Sequence, residues 1–274
     1  MAQAQASWSL CHRRNKLDAM TCCPPGSLPY LDAGYAATGS VVKEGDIELY
    51  VNKATESPTS AILLCPDIWG WNGGRVRAVA DHFASSYMVV IPKILNPVFE
   101  GGTDGDAMSP ASTFNMDWIK QFPWTVQKPK IDAALKFCKD NGVTKVCVFG
   151  FCYGGHPACW ASSENPELIT CGVVFHPSMQ LETFAFGGNM LSLMETIQCP
   201  FMFAPAGNDM AMFSEEGDFA TAVKKSAKGS ECVWKPYPEM VHGWTCRGDL
   251  ANDAVKRDVQ AVMKDAADFV AKYL

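Results

Sequence analysis

One stretch narrows the fold more than any other: Val146–His156, which reads Val-Cys-Val-Phe-Gly-Phe-Cys-Tyr-Gly-Gly-His. Its first four residues are an apolar, β-favouring run of the kind that forms a buried strand. Gly150, Gly154 and Gly155 then crowd around Cys152, and His156–Ser163 reads as a helix. Strand, Gly-x-Cys-x-Gly-Gly and helix make a nucleophile elbow, with sulfur in place of a serine oxygen. In so tight a turn, side chains two residues to either side of the nucleophile would clash, which accounts for Gly150 and Gly154. The elbow sets Cys152 at a helix N-terminus, where the dipole favours thiolate over thiol. It also offers the backbone N–H of Tyr153 to an oxyanion. The competing reading is a glycine-rich turn with a buried structural cysteine, so the rest of the chain has to decide.

The chain has 274 residues, enough for one large domain with a real core. Net charge is −6 with no lysine- or arginine-rich stripe, so nucleic acid is not an expected partner. No apolar run approaches the roughly 20 residues of a membrane span. Twelve cysteines are spread along the expected strands and helices rather than set in a loop-rich frame, and no secretory signal precedes them. That pattern points to a reduced, cytoplasmic compartment. Met1–Met20 carries Ala, Gln and Ser with Arg13, Arg14 and Lys16, which leaves organelle targeting open, although a plain disordered start explains it more simply. Cys22-Cys23 and Cys11-His12 are adjacent pairs without partners at ligand spacing, so no metal is expected, and no cofactor is called for.

Taken in order, residues 1–40 form an N-terminal extension, with Cys22–Gly39 as an extended arm rich in Pro, Gly and Tyr. Residues 41–274 form the single folded domain. Strands are expected at Asp46–Val51, Ala61–Cys65, Met88–Ile91, Cys171–Phe175, Phe201–Ala204 and Cys232–Lys235, beside the elbow strand. Helices are expected at Arg75–Ser86, Pro129–Asp140, Glu215–Lys228 and Ala251–Leu274. Asn96–Pro123 is long, glycine-rich and aromatic, a connection of the length that usually forms a lid or pocket wall. Strands and helices alternate throughout, which implies an α/β fold with one doubly wound, mostly parallel sheet.

A thiol nucleophile needs a base, and the base needs an orienting acid. Asp209, in Ala-Gly-Asn-Asp, follows the expected strand Phe201–Ala204 and so falls at the strand edge where ligand sites collect. His242, in Val-His-Gly-Trp, follows the last strand. Nucleophile, acid and histidine in that chain order, each after a strand, make Cys152, Asp209 and His242 the candidate catalytic triad. A turn aspartate and an idle loop histidine are the alternatives. His176 is the serious rival base, because it also follows a strand; His156 lies within the elbow helix and cannot easily face Cys152.

These residues together resemble the dienelactone hydrolase family, within the α/β-hydrolase superfamily. The match lies in Gly150-Phe-Cys-Tyr-Gly-Gly, the block ending at Asp209, the Val-His-Gly block at His242, and Cys65-Pro-Asp-Ile-Trp-Gly-Trp-Asn after the first core strand, and it spans about residues 40–270. Cys22-Cys-Pro-Pro-Gly-Ser also looks like eukaryotic members. The resemblance implies that Asp67 interacts with the resting thiol and activates it, where bacterial members more often carry glutamate. It implies that the Ile68 N–H joins that of Tyr153 in an oxyanion hole, and it makes Arg247 a candidate for holding a substrate carboxylate. Trp69 and Trp244 flank the expected site as candidate pocket walls, with core packing as the plainer alternative.

The expected activity is hydrolysis of a small-molecule ester or lactone through a thioester on Cys152, by a monomer or weak homodimer. Two rivals are weighed against it. Glutamine amidotransferases use a similar cysteine turn but need a His-x-Glu pair, and His176-Pro-Ser lacks the glutamate. A catalytically silent relative would instead bind small molecules or use Cys152 as a redox sensor.

Overall fold

In the computed structural model, which describes residues 22–31, 34–98 and 116–274, the chain builds one eight-stranded sheet with helices on both faces. The strands are β1 Ser40–Glu44, β2 Ile47–Asn52, β3 Ser60–Cys65, β4 Met88–Pro92, β5 Lys145–Phe151, β6 Ile169–Phe175, β7 Phe201–Ala204 and β8 Val233–Trp234. Their order across the sheet is β1-β2-β4-β3-β5-β6-β7-β8. β1 and β2 run antiparallel to each other, β2 runs antiparallel to β4, and every later pairing is parallel.

The central strands read as unbroken apolar runs because both of their faces are covered. Period-two alternation divides their side chains between two cores. Ala61, Leu63 and Cys65 of β3 point into one layer, and Ile62 and Leu64 into the other. Val146 and Val148 of β5 join the first layer, and Cys147, Phe149 and Phe151 the second. The helices are α1 Val76–Phe83, α2 Met116–Ile119, α3 Trp124–Asp140, α4 Gly155–Glu164, α5 Leu181–Phe184, α6 Met190–Thr196, α7 Asp218–Val223, α8 Trp244–Arg247 and α9 Asp253–Val270. α3, α4, α6 and α7 pack into the first layer, α1 and α9 into the second.

Several boundaries differ from the sequence expectation for physical reasons. β1 carries alternating exposed residues as an edge strand, so it offered no apolar run, and Gly45 at φ 59° turns it into β2. α3 begins at Trp124, five residues before the expected start at Pro129; buried Trp124 and Gln127 anchor the added turn, and Pro129 is accommodated inside the helix. The helix expected over Glu215–Lys228 is confined to Asp218–Val223. Tight backbone turns flank it: a Cβ on Gly217 would lie 2.2 Å from the Met212 carbonyl, and one on Gly229 the same distance from that of Val223. α9 starts where the Asn252 side chain accepts from the N–H groups of Ala254 and Val255 at 2.9 and 3.3 Å. Of the expected 96–123 connection, residues 99–115 lie outside the described residues, as does Met1–Met20.

Candidate active site

Cys152 is the first residue after β5, and its backbone is held in the left-handed region at φ 53°. A non-glycine residue takes that conformation only when its surroundings enforce it. The enforcement is visible in the two glycines. A Cβ on Gly150 would meet the Gly155 Cα at 2.5 Å, and one on Gly154 would meet the Cys65 carbonyl oxygen at 2.0 Å. The turn therefore presses against both α4 and the end of β3, and Cys152 is lifted to the parallel strands' C-terminal edge. Below it, the Tyr153 hydroxyl accepts from the Gln127 amide and donates to the Phe122 carbonyl, each at 2.8 Å, fixing the residue after the cysteine.

Asp209 and His242 meet at the same edge. The His242 Nδ1 lies 2.6 Å from one Asp209 carboxylate oxygen, and the other oxygen accepts from the Ala206 N–H at 2.7 Å. Asn208 fixes the histidine backbone by accepting from its N–H at 2.6 Å. The His242 Nε2 is buried and makes no well-directed hydrogen bond. His176 packs beside His242, ring centroids 4.8 Å apart, but its Nε2 pairs with the Thr245 hydroxyl at 2.6 Å. Burial, and then the His242 charge, push His176 well below the ordinary histidine range. His156 pairs with Glu182 at 2.6 Å inside the first core layer.

The N-terminal arm closes this edge. Cys22 and Cys23 each place their sulfur 3.6 Å from that of Cys152, and the Ser178 hydroxyl lies 3.3 Å from it on another side. Cys152 is left wholly inaccessible. The arm is tied down at every turn: the Cys22 carbonyl accepts from Ser178 at 2.5 Å and Gln180 at 3.2 Å, and the Pro25 carbonyl accepts from Asn208 at 3.0 Å. The Leu28 N–H donates to the His242 carbonyl at 3.0 Å, and its own carbonyl accepts from the Arg247 Nε at 3.1 Å.

This closure shapes the charges. Burial first, then the thiols of Cys22 and Cys23, push the Cys152 thiol well above its usual range. Cys23 moves the other way. Hydrogen bonds from Cys152 and Cys22 lower it, burial opposes them, and the His242 charge lowers it further. Burial alone would lower His242, but the Cys23 charge and the Asp209 hydrogen bond outweigh it and lift the imidazole to about 10. In the closed form these opposed shifts make Cys23, rather than Cys152, the sulfur paired with His242.

The remaining expected site residues are placed differently. Asp67 directs one oxygen to the Trp69 N–H at 2.9 Å and the other to the Arg247 guanidinium, so its carboxylate is taken up by a turn cap and a buried ion pair. Arg247 is buried between Asp67, the Leu28 carbonyl and the Trp69 ring, which its guanidinium faces at 5.7 Å. It is no open carboxylate receptor in this form. Trp69 lies half-buried at the site, edge-on to Tyr30 at 5.6 Å. Trp244 is a core residue: it is fully buried in the second layer with its ring 4.7 Å from Tyr237, so it walls no pocket at Cys152. Ile68 is buried on the loop after β3, next to the Cys65–Gly154 contact. Cys22, Cys23, Ser178 and Gln180 carried no local sign of a site role. Only the Cys-Cys-Pro-Pro-Gly pattern in the arm marked two of them.

A mostly parallel, doubly wound sheet with a sharp strand–turn–helix at its C-terminal edge is the α/β-hydrolase fold. The fold likeness is direct: an esterase of Pyrococcus furiosus superposes with a TM-score of 0.59 over 90% of this chain and 97% of its own, at 14% identity. Est1E from Butyrivibrio proteoclasticus does so with 0.56 over 86% of this chain and the whole of its own, at 11% identity. The family is settled by sequence. The profile of the dienelactone hydrolase family matches residues 47–274, and the chain belongs to that family. It is also similar to a carboxymethylenebutenolidase homolog of Xenopus tropicalis, 26% identical over 243 residues, which are 88% of this chain and 93% of that one. The corresponding homolog of Mus musculus is 28% identical over the same length.

Proposed function

We propose that this member of the hydrolase family cleaves carboxylic esters or lactones with Cys152 as nucleophile, His242 as base and Asp209 as its orienting acid. The observation that carries the reading is the 2.6 Å bond from Asp209 to the His242 Nδ1, at the same edge as a cysteine held at φ 53°. A carboxylate on Nδ1 leaves Nε2 as the nitrogen that exchanges a proton. The arm has to withdraw first. Once Cys23 leaves, His242 Nε2 takes the Cys152 proton and the thiolate attacks the carbonyl carbon. The tetrahedral oxyanion is met by the N–H groups of Tyr153 and Ile68, each such donor being worth about 3 kcal/mol. Collapse breaks the bond to the alkoxy oxygen, which receives the proton from His242. Water, deprotonated by the same nitrogen, then attacks the thioester, releasing the acid and restoring the thiol. Asp67 contributes by holding Arg247 and the Trp69 turn beside the oxyanion donors.

The test is hydrolysis of a panel of p-nitrophenyl esters and small lactones by the wild type and Cys152→Ala, with and without iodoacetamide. Turnover that vanishes in the variant and on alkylation is the expected result. Full turnover by Cys152→Ala would rule the reading out. A thiol-sensor role has one specific observation in its favour, the 3.6 Å contacts of Cys152 with Cys22 and Cys23. It predicts a peroxide-induced disulfide from Cys152 to the arm together with no ester turnover by the reduced protein.

A further inference from the structure

We propose that Cys22, Cys23 and Cys152 form a zinc(II) site that latches the arm over the elbow, with His242, beside Cys23, closing in as the fourth ligand. The three sulfurs lie within 4.8 Å of one another, with the two contacts to Cys152 at 3.6 Å. A tetrahedral ion with Zn–S bonds of about 2.3 Å holds its sulfurs about 3.8 Å apart, so the cluster already has nearly the required edge lengths. The fourth corner falls to His242, which is not within 4.8 Å of all three sulfurs and has to close in on the ion. Its Nε2 is fully buried and is turned toward the Cys23 thiol, one of the three proposed sulfur ligands. Its other nitrogen is held by Asp209 at 2.6 Å, the carboxylate–histidine arrangement that orients metal-binding imidazoles. Three thiolates and one imidazole in a closed, tetrahedral setting select a borderline-soft ion such as zinc over magnesium or calcium.

Ligand spacing in the sequence gave no hint of this set, because Cys152 is 130 residues from Cys22 and only the arm's path over the elbow joins them. Binding forms three Zn–S bonds and one Zn–N bond and releases three protons to the solvent, one each from Cys22 and Cys152 and one shared by the Cys23–His242 pair. Three thiolates around the ion leave one net negative charge, against which the buried Arg247 guanidinium stands beside Cys22 and Cys23. Zinc in this site ties up both the proposed nucleophile and the proposed base, so the ion and an ester substrate exclude each other.

The experiment is a titration of the metal-free full chain, kept reduced by a phosphine, with cobalt(II) as a spectroscopic probe and with zinc(II) against a colorimetric chelator. The expected result is one ion per chain, a thiolate-to-cobalt charge-transfer band with tetrahedral d–d bands, and release of on the order of three protons per ion. The pair Cys22→Ser and Cys23→Ser together should abolish the band, whereas Cys232→Ser, at a cysteine near β8, should leave it. Asp209→Asn should keep the band but weaken zinc binding roughly 10- to 100-fold. An octahedral, sulfur-free cobalt spectrum overturns the proposal. So does undiminished binding by the double serine variant, or by Asp209→Asn, with circular dichroism reporting the native fold. These readouts do not use ester turnover. A chain that binds cobalt but hydrolyses nothing would sink the hydrolytic reading alone, and one that hydrolyses but binds no cobalt would sink the zinc site alone.

Discussion

At the scale of single residues, the His242–Asp209 contact does two jobs that a mutation can separate. The carboxylate supports the positive imidazole, and it selects the tautomer whose Nε2 faces the elbow. Asp209→Asn keeps the shape and a hydrogen bond, because the Ala206 N–H can still donate to the side-chain oxygen. What it loses is the tautomer and the charge. We expect kcat for a p-nitrophenyl ester to fall roughly 10³- to 10⁴-fold with little change in KM, by analogy with the same substitution in serine hydrolase triads. A fall of less than ten-fold in steady-state rates, with the fold intact, would show that Asp209 only shapes the loop. The proposed triad residues Cys152, Asp209 and His242 could be picked out in the sequence because each follows a strand, Cys152 immediately and the other two after a short loop. The roles of Asp67 and Arg247 could not. Their ion pair joins residues 180 apart, and no local pattern reports that a buried arginine already has its carboxylate. Trp244 misled in the same way: proximity to His242 in sequence sends its ring into the opposite layer, because Gly243 at φ 92° redirects the chain into α8.

At the scale of elements, the arm over residues 22–31 governs access to Cys152, and its bonds to the body are few enough to perturb singly. Gln180 donates to the Cys22 carbonyl at 3.2 Å. A net hydrogen bond is worth about 1 kcal/mol, so Gln180→Ala should raise the open population of the metal-free protein about five-fold. The measurement is the pseudo-first-order alkylation rate of Cys152 by iodoacetamide, followed by peptide mass spectrometry. An unchanged rate would mean that the arm does not limit access. The core strands β3 to β7 were readable because burial on both faces writes a continuous apolar run. The arm's destination was not, since its hold on the elbow comes from backbone carbonyls and two thiols whose partners lie far along the chain. β1 escaped for a related reason: an exposed edge strand has no apolar run to show.

For the molecule as a whole, the largest store of pH-dependent stability is its buried sulfur. The eleven described cysteines are all thiols, and nine of them are buried. Burial pushes Cys138 and Cys246 up to about 12, and raises Cys65, Cys147, Cys159 and Cys199 strongly as well. In the unfolded chain these thiols ionise near 9.0. Above that pH the unfolded state binds fewer protons than the folded one, so the stability present below it is lost as the pH rises. The His242–Cys23 pair is neutral to this between 6.5 and 9.0, because the proton its folded form holds on the imidazole the unfolded form holds on the thiol, and it adds to the loss only between 9.0 and about 10. Lys130 opposes it. Burial holds it down to about 8 against an ordinary 10.5, so its contribution is a penalty that fades as the pH rises. One lysine does not offset six thiols, each worth about 1.4 kcal/mol per pH unit once ionised in the unfolded chain. Urea midpoints of the reduced, metal-free protein should therefore be nearly level up to about pH 8 and drop with increasing steepness beyond about 9. Cys138→Ala, which removes one of these thiols, should make that drop shallower even though its cavity lowers stability at neutral pH. Midpoints that stay level to about pH 10 would mean that the buried thiols ionise as readily folded as unfolded, which their surroundings in both core layers argue against.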